Sequence, residues 1–297
     1  EIYQCDWSSD VCSSDLYPLC LFRYEIGIVD TRNVIKILLD DFGYDFRDYA
    51  LTSFKRRLEH VINSNGLRDA DGLVSRLQNN KDFIEQFLFE ITPETTEMFR
   101  DPSFWRILRD EILPEITRGT ANKPRIWVAS FDSGEELYSL AIVLKEMNLL
   151  ENVQIYASVF TEKCINRIKS GRLDPKDLET NEANYQRLNG KSQYSMYYKM
   201  DGNTIVFDTE LVKNVNFIKQ KTTLESDPGA VKLALFRNQT IYFNQLLHEK
   251  VLQKLSSSLV AGGYLALGVK ETLENTNAYN KFTVFNDNEK IYKRKTT

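Results

Sequence analysis

The sequence predicts an α/β protein that begins with a small all-α domain. Three observations lead to this prediction: helical spacing of apolar residues in 24–91, strands alternating with helices in 92–297, and an alternating apolar–polar segment at about 193–217. Strands that alternate with helices are typical of a parallel sheet with helices on its faces. The alternating segment is predicted to be a β-hairpin inserted in the second domain.

The amino-terminal domain is predicted from two apolar stripes at helical spacing. They are formed by Val34, Ile35, Leu38 and Leu39, and by Leu51, Phe54, Leu58, Val61 and Ile62. Asp45 and Asp48 precede the second stripe and are expected to mark the start of its helix. Two further helices are predicted near 70–77 and 81–89. Because no strand-like alternation interrupts these segments, we expect an all-α domain.

The second domain contains short apolar runs that are separated by helical patterns. Strands are predicted at 125–130, 153–160, 231–238 and 264–269, and helices at 135–147, 162–169 and 244–259. Asp201-Gly202 is a turn signal inside the inserted hairpin. The segment FTVFNDNEKIYKRK, near residue 288, predicts a second hairpin. Together these patterns indicate a doubly wound α/β sheet with additional antiparallel strands.

Composition excludes several classes of function. The 297 residues carry a net charge of −4, so the protein as a whole does not have the basic character of a nucleic-acid binder. No apolar run approaches 18 residues, so we expect no membrane insertion. His60 and His248 are the two histidines, and no Cys/His cluster has metal-ligand spacing. Neither a zinc site nor a histidine-based catalytic triad is therefore expected.

The first residues require separate treatment. Residues 6–16 read DWSSDVCSSDL and look like the in-frame translation of a sequencing-library adapter. We therefore expect 1–23 to be this artefact followed by a disordered leader, and we exclude it from the fold. With Cys5 and Cys12 set aside together with this segment, Cys20 and Cys164 remain and show no disulfide framework, which fits a reducing cytoplasm.

The best candidate ligand site is the strand–turn–helix segment at 125–140. Ligands of open α/β sheets bind at the carboxyl ends of strands, where helices begin. This turn has one glycine, Gly134, followed by Glu135 and Glu136, a combination that repels phosphate and suits a cationic ligand. The alternative is that these acids only complement the helix dipole and bind nothing.

Four sequence motifs resemble those of the CheR-type chemoreceptor methyltransferases. TEMFRDPSFW begins at Thr96, SGEELYSLA at Ser133, RNQTIYF at Arg237 and GGYLALGVKETL at Gly262. They occur in the family's order and spacing across roughly 30–294, behind a helical domain as in the family. The resemblance implies a Rossmann-like sheet that uses S-adenosylmethionine as its cofactor.

The resemblance also implies an activity, namely methyl transfer from S-adenosylmethionine to glutamate side chains of chemoreceptors. The residues implied to bind the cofactor are Thr96, Arg100, Glu136, Arg237 and Asn238. Arg100 would hold the methionine carboxylate or steer the substrate carboxylate, and Tyr242 would reach the transfer centre. The alternatives are a salt-bridged Arg100, a capping Thr96 and an ordinary core Tyr242.

Several positions depart from the family pattern. Val159 stands where the family has an acid that holds the cofactor ribose, Lys221 and Thr222 where it has an Asn-Leu pair, and Lys232 where it has an Asp. Loss of one buried acceptor costs about 1–3 kcal/mol. We therefore expect weakened cofactor binding, unless Lys221 points to solvent or a neighbouring acid compensates. The alternative function is a catalytically impaired homologue that acts as a binding module for receptors or signalling proteins.

A basic run on the second helix is the candidate partner site. Lys55, Arg56 and Arg57 are expected to face away from Phe54 and Leu58. The resemblance implies that such a helix docks the acidic helices of a chemoreceptor cytoplasmic domain or a related signalling protein. The alternative is a solvated helix face. We expect a cytoplasmic monomer.

Overall fold

The computed structural model describes residues 24–92, 97–119, 122–131, 134–173 and 175–296. The predicted leader at 1–23, with its adapter-like segment, lies outside the described residues. So does Thr96, one of the predicted cofactor ligands. No helix in the described ranges is both long and apolar enough to cross a membrane.

The amino-terminal part is all-α, as predicted. Its helices are α1 (Ile28–Phe42), α2 (Leu51–Ser64), α3 (Ala70–Asn79) and α4 (Lys81–Ile91). The predicted stripes form its core, in which Phe54 and Leu58 are buried. The predicted start signal of α2 is wrong, since Ala50 precedes the helix and no side chain caps it. Asp48 pairs instead with Lys250 of the second domain, at 2.9 Å.

The second part is an α/β domain, also as predicted. Its helices are α5 (Pro102–Ile107), α6 (Leu113–Thr117), α7 (Glu135–Glu146), α8 (Glu162–Ser170), α9 (Leu178–Leu188) and α10 (Gln245–Ser258). A π-helical turn, Leu108–Ile112, joins α5 to α6. Its strands are β1 (Arg125–Val128), β2 (Gln154–Val159), β3 (Arg172–Leu173), β4 (Tyr198–Asp201), β5 (Thr204–Phe207), β6 (Asn216–Lys219), β7 (Val231–Phe236), β8 (Leu259–Leu267), β9 (Phe282–Asn286) and β10 (Ile291–Arg294).

Seven of these strands form the main sheet, in the order β6-β2-β1-β7-β8-β10-β9. The first five are parallel, and β10 pairs antiparallel with both β8 and β9. Apolar side chains pack on both faces, with Ile126 and Val128 in one core cluster and Trp127 and Ala129 in the other. Burial on two faces explains why these strands read as continuous apolar runs.

A second, three-stranded antiparallel sheet has the order β3-β5-β4. Its hairpin, β4 and β5, turns at Asp201-Gly202 as predicted. The predicted limits of the insert, 193–217, need correction because β6 begins at Asn216 and pairs with β2 in the main sheet. Alternation of apolar and polar residues identifies a strand but does not tell which sheet it joins.

The strand order reverses between β1 and β7, so a crevice opens at their carboxyl ends. The amino-terminal domain lies against this edge through main-chain hydrogen bonds. Ala50 N–H donates to the Tyr242 carbonyl at 2.8 Å, and Asn244 N–H donates to the Asp48 carbonyl at 2.9 Å. Tyr49 and Phe243 form an isolated antiparallel bridge between these two contacts.

Candidate functional site

Arg237 is the centre of the site at the end of β7. It is 3% exposed, and its guanidinium donates to Asp101 Oδ2 at 2.6 Å and to Glu136 Oε1 at 3.3 Å. It also donates to the Arg100 carbonyl at 3.3 Å and lies 4.0 Å from the centroid of the Phe104 ring. Arg237 therefore ties the segment before α5 to the start of α7.

The segment before α5 has a strained backbone. Phe99 and Asp101 have φ values of 52° and 57°, and they flank Arg100. The left-handed region costs about 1–2 kcal/mol for a residue with a side chain, so surrounding contacts must hold it. Phe99 N–H donates to Ser139 Oγ at 2.9 Å, and Arg237 holds Asp101. Such strain is frequent at binding sites.

Glu136 is the acid that α7 presents to this crevice. Its side chain is 11% exposed. Burial raises the pKa of its carboxyl group, and the Arg237 guanidinium and the Ser130 hydroxyl oppose that shift. Gly134 precedes the helix with φ 116°, and a Cβ there would lie 3.0 Å from Ile168. The turn therefore requires glycine in order to bring Glu136 to the sheet edge.

Glu271 fixes the loop that follows β7. This carboxylate is 4% exposed. It accepts hydrogen bonds from the main-chain N–H of Asn238 (2.8 Å), Thr240 (2.6 Å) and Gly268 (2.6 Å). Asn238 has φ 57°, and its backbone N would lie 2.8 Å from a Cβ on Gly268. The carboxylate therefore clamps the Arg237–Asn238 turn against the end of β8.

Tyr242 follows that turn and is half-buried. The Arg57 guanidinium of α2 lies over its ring, with Cζ 4.1 Å from the centroid. Arg57 also donates to the Ile91 carbonyl at 2.8 Å. Burial lowers the pKa of Arg57, and the Tyr242 and Tyr49 phenols oppose that shift. The amino-terminal domain therefore forms one wall around Tyr242.

The structure separates the three members of the predicted basic run. Arg56 is exposed, whereas Lys55 pairs with Glu59 at 3.0 Å. Arg57 was expected to form one basic surface with them, but it points to the second domain. Adjacent residues on a helix differ by about 100° in direction, so one short run of cations reaches two different surroundings.

At the end of β2, Val159 is 2% exposed and packs in the core cluster on the α7 side of the sheet. The next residue, Phe160, stacks on Phe131 with centroids 4.2 Å apart. Glu162, an acid that could compensate for Val159, instead lies 3.6 Å from Lys219 and is about half exposed. Asp132, the other neighbouring acid that could compensate, lies outside the described residues.

The two lysines at departing positions do not lie in the crevice. Lys221 is exposed, and its Nζ would be 3.7 Å from a Cβ on Gly43, at the carboxyl end of α1. A cation is favourable there. Lys232 is the second residue of β7, four residues before Phe236, which places it about 13 Å from the carboxyl end of the strand. Neither lysine side chain is therefore placed to repel a cationic cofactor in the crevice.

The structure thus brings together all four of the predicted cofactor residues that it describes. Arg100, Glu136, Arg237 and Asn238 lie at the crevice, with Tyr242 on the loop beside it. Sequence reasoning missed the roles of Asp101, Phe104 and Glu271, although all three lie in the quoted motifs. An acid next to a predicted arginine ligand was the available signal for Asp101.

Comparison with known proteins agrees with this geometry. Residues 94–290 match the family model described as CheR methyltransferase, SAM binding domain, and residues 30–92 match CheR methyltransferase, all-alpha domain. Cher3 of Pseudomonas putida, provisionally named a methyltransferase, is 29% identical over 90% of this chain and 97% of its own. Chemotaxis protein methyltransferases of Listeria innocua and Borreliella burgdorferi are 25% and 26% identical, over 84% and 85% of this chain and 93% and 92% of theirs.

Among solved structures, the rRNA methyltransferase AviRa of Streptomyces viridochromogenes is 14% identical, with a TM-score of 0.35, over 64% of this chain and 84% of its own. The two family models cover nearly the same residues as the two domains of the structure, and together they span most of the chain. The chain belongs to the CheR methyltransferase family, with both its SAM-binding domain and its all-α domain.

Proposed function

We propose that this protein transfers a methyl group from S-adenosylmethionine to glutamate side chains of a chemoreceptor cytoplasmic domain or a related signalling protein, as a cytoplasmic monomer. The observation that carries the proposal is the Arg237 centre. It joins Asp101 and Glu136 at the carboxyl ends of β1 and β7, in a chain of the CheR family. The family's relatives named as chemotaxis protein methyltransferases support the choice of substrate.

The crevice suits the amino-acid end of S-adenosylmethionine, which carries an ammonium group, a sulfonium group and a carboxylate. Glu136 offers a buried carboxylate to the cationic groups of the cofactor. The Arg100 guanidinium is proposed to bind a carboxylate, either that of the cofactor or that of the substrate. Arg237 Nε is buried with no hydrogen-bond partner among the described residues. This N–H is therefore available to donate a hydrogen bond to a bound ligand. Asn238 and Thr96 complete the set of residues proposed to hold the cofactor.

When bound, S-adenosylmethionine supplies an electrophilic methyl group. The attacking atom is a carboxylate oxygen of the substrate, so the protein needs to align that oxygen and exclude water. Arg100 orients carboxylate groups in this proposal. Tyr242, held between Arg57 and the loop clamped by Glu271, forms the wall next to the transfer centre.

The test is transfer of a labelled methyl group to a soluble chemoreceptor cytoplasmic fragment, detected as alkali-labile methyl ester. Tyr242→Phe should lower transfer while cofactor affinity stays close to wild type. Arg100→Ala should lower transfer and weaken cofactor binding as well. Small and equal effects of the two substitutions would contradict these roles.

The second candidate function is a binding module with impaired transfer. It is favoured by Val159, which gives the end of β2 an apolar, 2% exposed side chain where the ribose would need an acceptor. Receptor binding together with absent methyl transfer, in a protein that folds normally, would establish this function over the first. Lys221 and Lys232 do not favour this second function, because neither side chain lies in the crevice.

We propose that docking uses the outward-facing part of the basic run, the exposed Arg56 and the half-buried Lys55, which pairs with Glu59. Charge steering predicts that binding of an acidic receptor fragment weakens as salt screens charges over about 10 Å at 0.1 M. Lys55→Glu/Arg56→Glu should nearly abolish binding at low salt. Equal reversal of Lys169 and Lys176, on the α/β domain, is the matched control and should leave binding unchanged.

A further inference from the structure

We infer that Arg57 is a positioning residue that fixes the Tyr242 ring and couples the docking helix α2 to the transfer centre. The importance of Tyr242 to catalysis rests on the proposed function. The contact between the two side chains does not, because it follows from the geometry. Arg57 thereby has a different role from its neighbours in the basic run.

The first observation is how firmly the guanidinium is held. Its Cζ lies 4.1 Å from the centroid of the Tyr242 ring, within the range of a cation–π interaction. Its Nη1 donates to the Ile91 carbonyl at 2.8 Å. That carbonyl ends α4, where a positive charge is favoured. The guanidinium is thus fixed from one side by α4 and presents its face to the tyrosine.

The second observation is that the main chain connects the same two elements. Ala50, which directly precedes α2, donates its N–H to the carbonyl of Tyr242 itself at 2.8 Å. Tyr49 bridges Phe243, and its hydroxyl lies 2.9 Å from Thr223 Oγ1. The start of α2 and the Tyr242 turn therefore form one connected unit. A displacement of α2 moves the backbone and the side-chain wall of Tyr242 together.

The third observation is the position of Arg56 beside Arg57 on α2. Arg56 is exposed on the outer surface, whereas Arg57 reaches the inner one. A partner that binds the outer surface of α2 therefore contacts the same helix that positions Tyr242 through Arg57. Correct docking is thereby linked to the alignment of the transfer centre, and a short peptide that cannot reach α2 lacks this effect.

The primary test does not require activity. Tyr242 is replaced by 3-fluorotyrosine, and its fluorine resonance is compared in otherwise wild-type protein, in Arg57→Gln and in the exposed neighbour control Arg56→Gln. We expect Arg57→Gln to shift and broaden the resonance, and Arg56→Gln to leave it unchanged. Arg57→Lys keeps the charge, so its resonance should lie between those of Arg57→Gln and wild type, with an unchanged thermal melt. A resonance in Arg57→Gln that matches wild type would overturn the inference.

The activity arm separates positioning from general stability. Arg57→Gln should lower kcat by about tenfold with the KM for S-adenosylmethionine unchanged, and should cause no further loss in a Tyr242→Ala background. Fully additive losses would overturn the positioning role. If wild type transfers no methyl group, the proposed function fails, but the fluorine comparison still decides whether Arg57 holds Tyr242.

Discussion

Replacement of Arg237 by methionine is the sharpest perturbation of this site. Methionine fills much of the same volume but removes the hydrogen bonds to Asp101 at 2.6 Å, to Glu136 at 3.3 Å and to the Arg100 carbonyl. Two carboxylates then lose a guanidinium that is itself 3% exposed. Removal of one partner of a buried ion pair costs about 3–5 kcal/mol. For a chain of this size the melting temperature should fall by about 10 °C.

The loss should depend on pH, because burial already raises the pKa of Glu136 and Arg237 opposes that shift. Without Arg237, the carboxyl group retains its proton to higher pH. A raised pKa of an acid gives stability that is present at low pH and lost as pH rises through the folded value. The deficit of Arg237→Met should therefore be smaller at pH 5 than at pH 8, and Glu136→Gln in the same variant should remove that dependence.

The assay is urea unfolding of wild type, Arg237→Met and the double variant at both pH values. Arg56→Met serves as the control, because it removes an exposed arginine from the same protein. A loss below about 1 kcal/mol for Arg237→Met, the range of an exposed ion pair, would refute the view that Arg237 organises the site. So would a deficit of equal size at pH 5 and pH 8.

Three further predictions concern the ends of the strands and the domain contact. Val159→Asp should tighten S-adenosylhomocysteine binding by about tenfold in calorimetry, or about 1.4 kcal/mol; weaker binding would contradict the missing-acceptor idea. Burial raises the pKa of Tyr49 to about 12, so wild type should lose about 1 kcal/mol more than Tyr49→Phe between pH 9 and pH 11 in denaturant unfolding. Gly268→Ala, whose Cβ would lie 2.6 Å from Asn238 Oδ1, should lower the melting temperature, whereas Gly72→Ala in α3 should not.

Periodicity in the sequence was sufficient to predict the helices of the first domain and the central strands of the second. These elements bury one helical stripe or two sheet faces, and such burial leaves a local pattern. The assignment failed for β6, which was merged with the inserted hairpin. Its four residues, NFIK, have two apolar side chains in a row and carry no signal of their own for either sheet. The choice between the two sheets depends on β2, some sixty residues earlier.

The site shows the same division between local and long-range information. Glu136 and Arg237 were identified from motifs, but their ion pair joins residues about a hundred positions apart. The inward direction of Arg57 could not be predicted from α2 alone. Phe54 and Leu58 mark the face that packs within the first domain, whereas Arg57 packs on an aromatic ring of the second. A long charged side chain can cover such a surface while its sequence pattern still resembles a solvated face.

Lys232 illustrates the reverse case, in which a correspondence in sequence suggested a functional effect that distance prevents. Its position at the amino end of β7 follows from the rise of a strand, about 3.3 Å per residue. Its charge acts on Glu115, whose pKa is held low chiefly by Lys293, rather than on the crevice. Of the departures at Val159, Lys221 and Lys232, Val159 is the one that the structure leaves next to the crevice.

Calorimetric titration of the wild-type protein with S-adenosylhomocysteine tests the central claim most directly. A SAM-binding domain with the Arg237–Glu136 centre intact should give saturable binding of one ligand per chain, and Arg237→Met should abolish it. Absence of measurable heat at millimolar ligand, from protein with a normal thermal melt, would contradict the claim that this chain retains the cofactor site of its family.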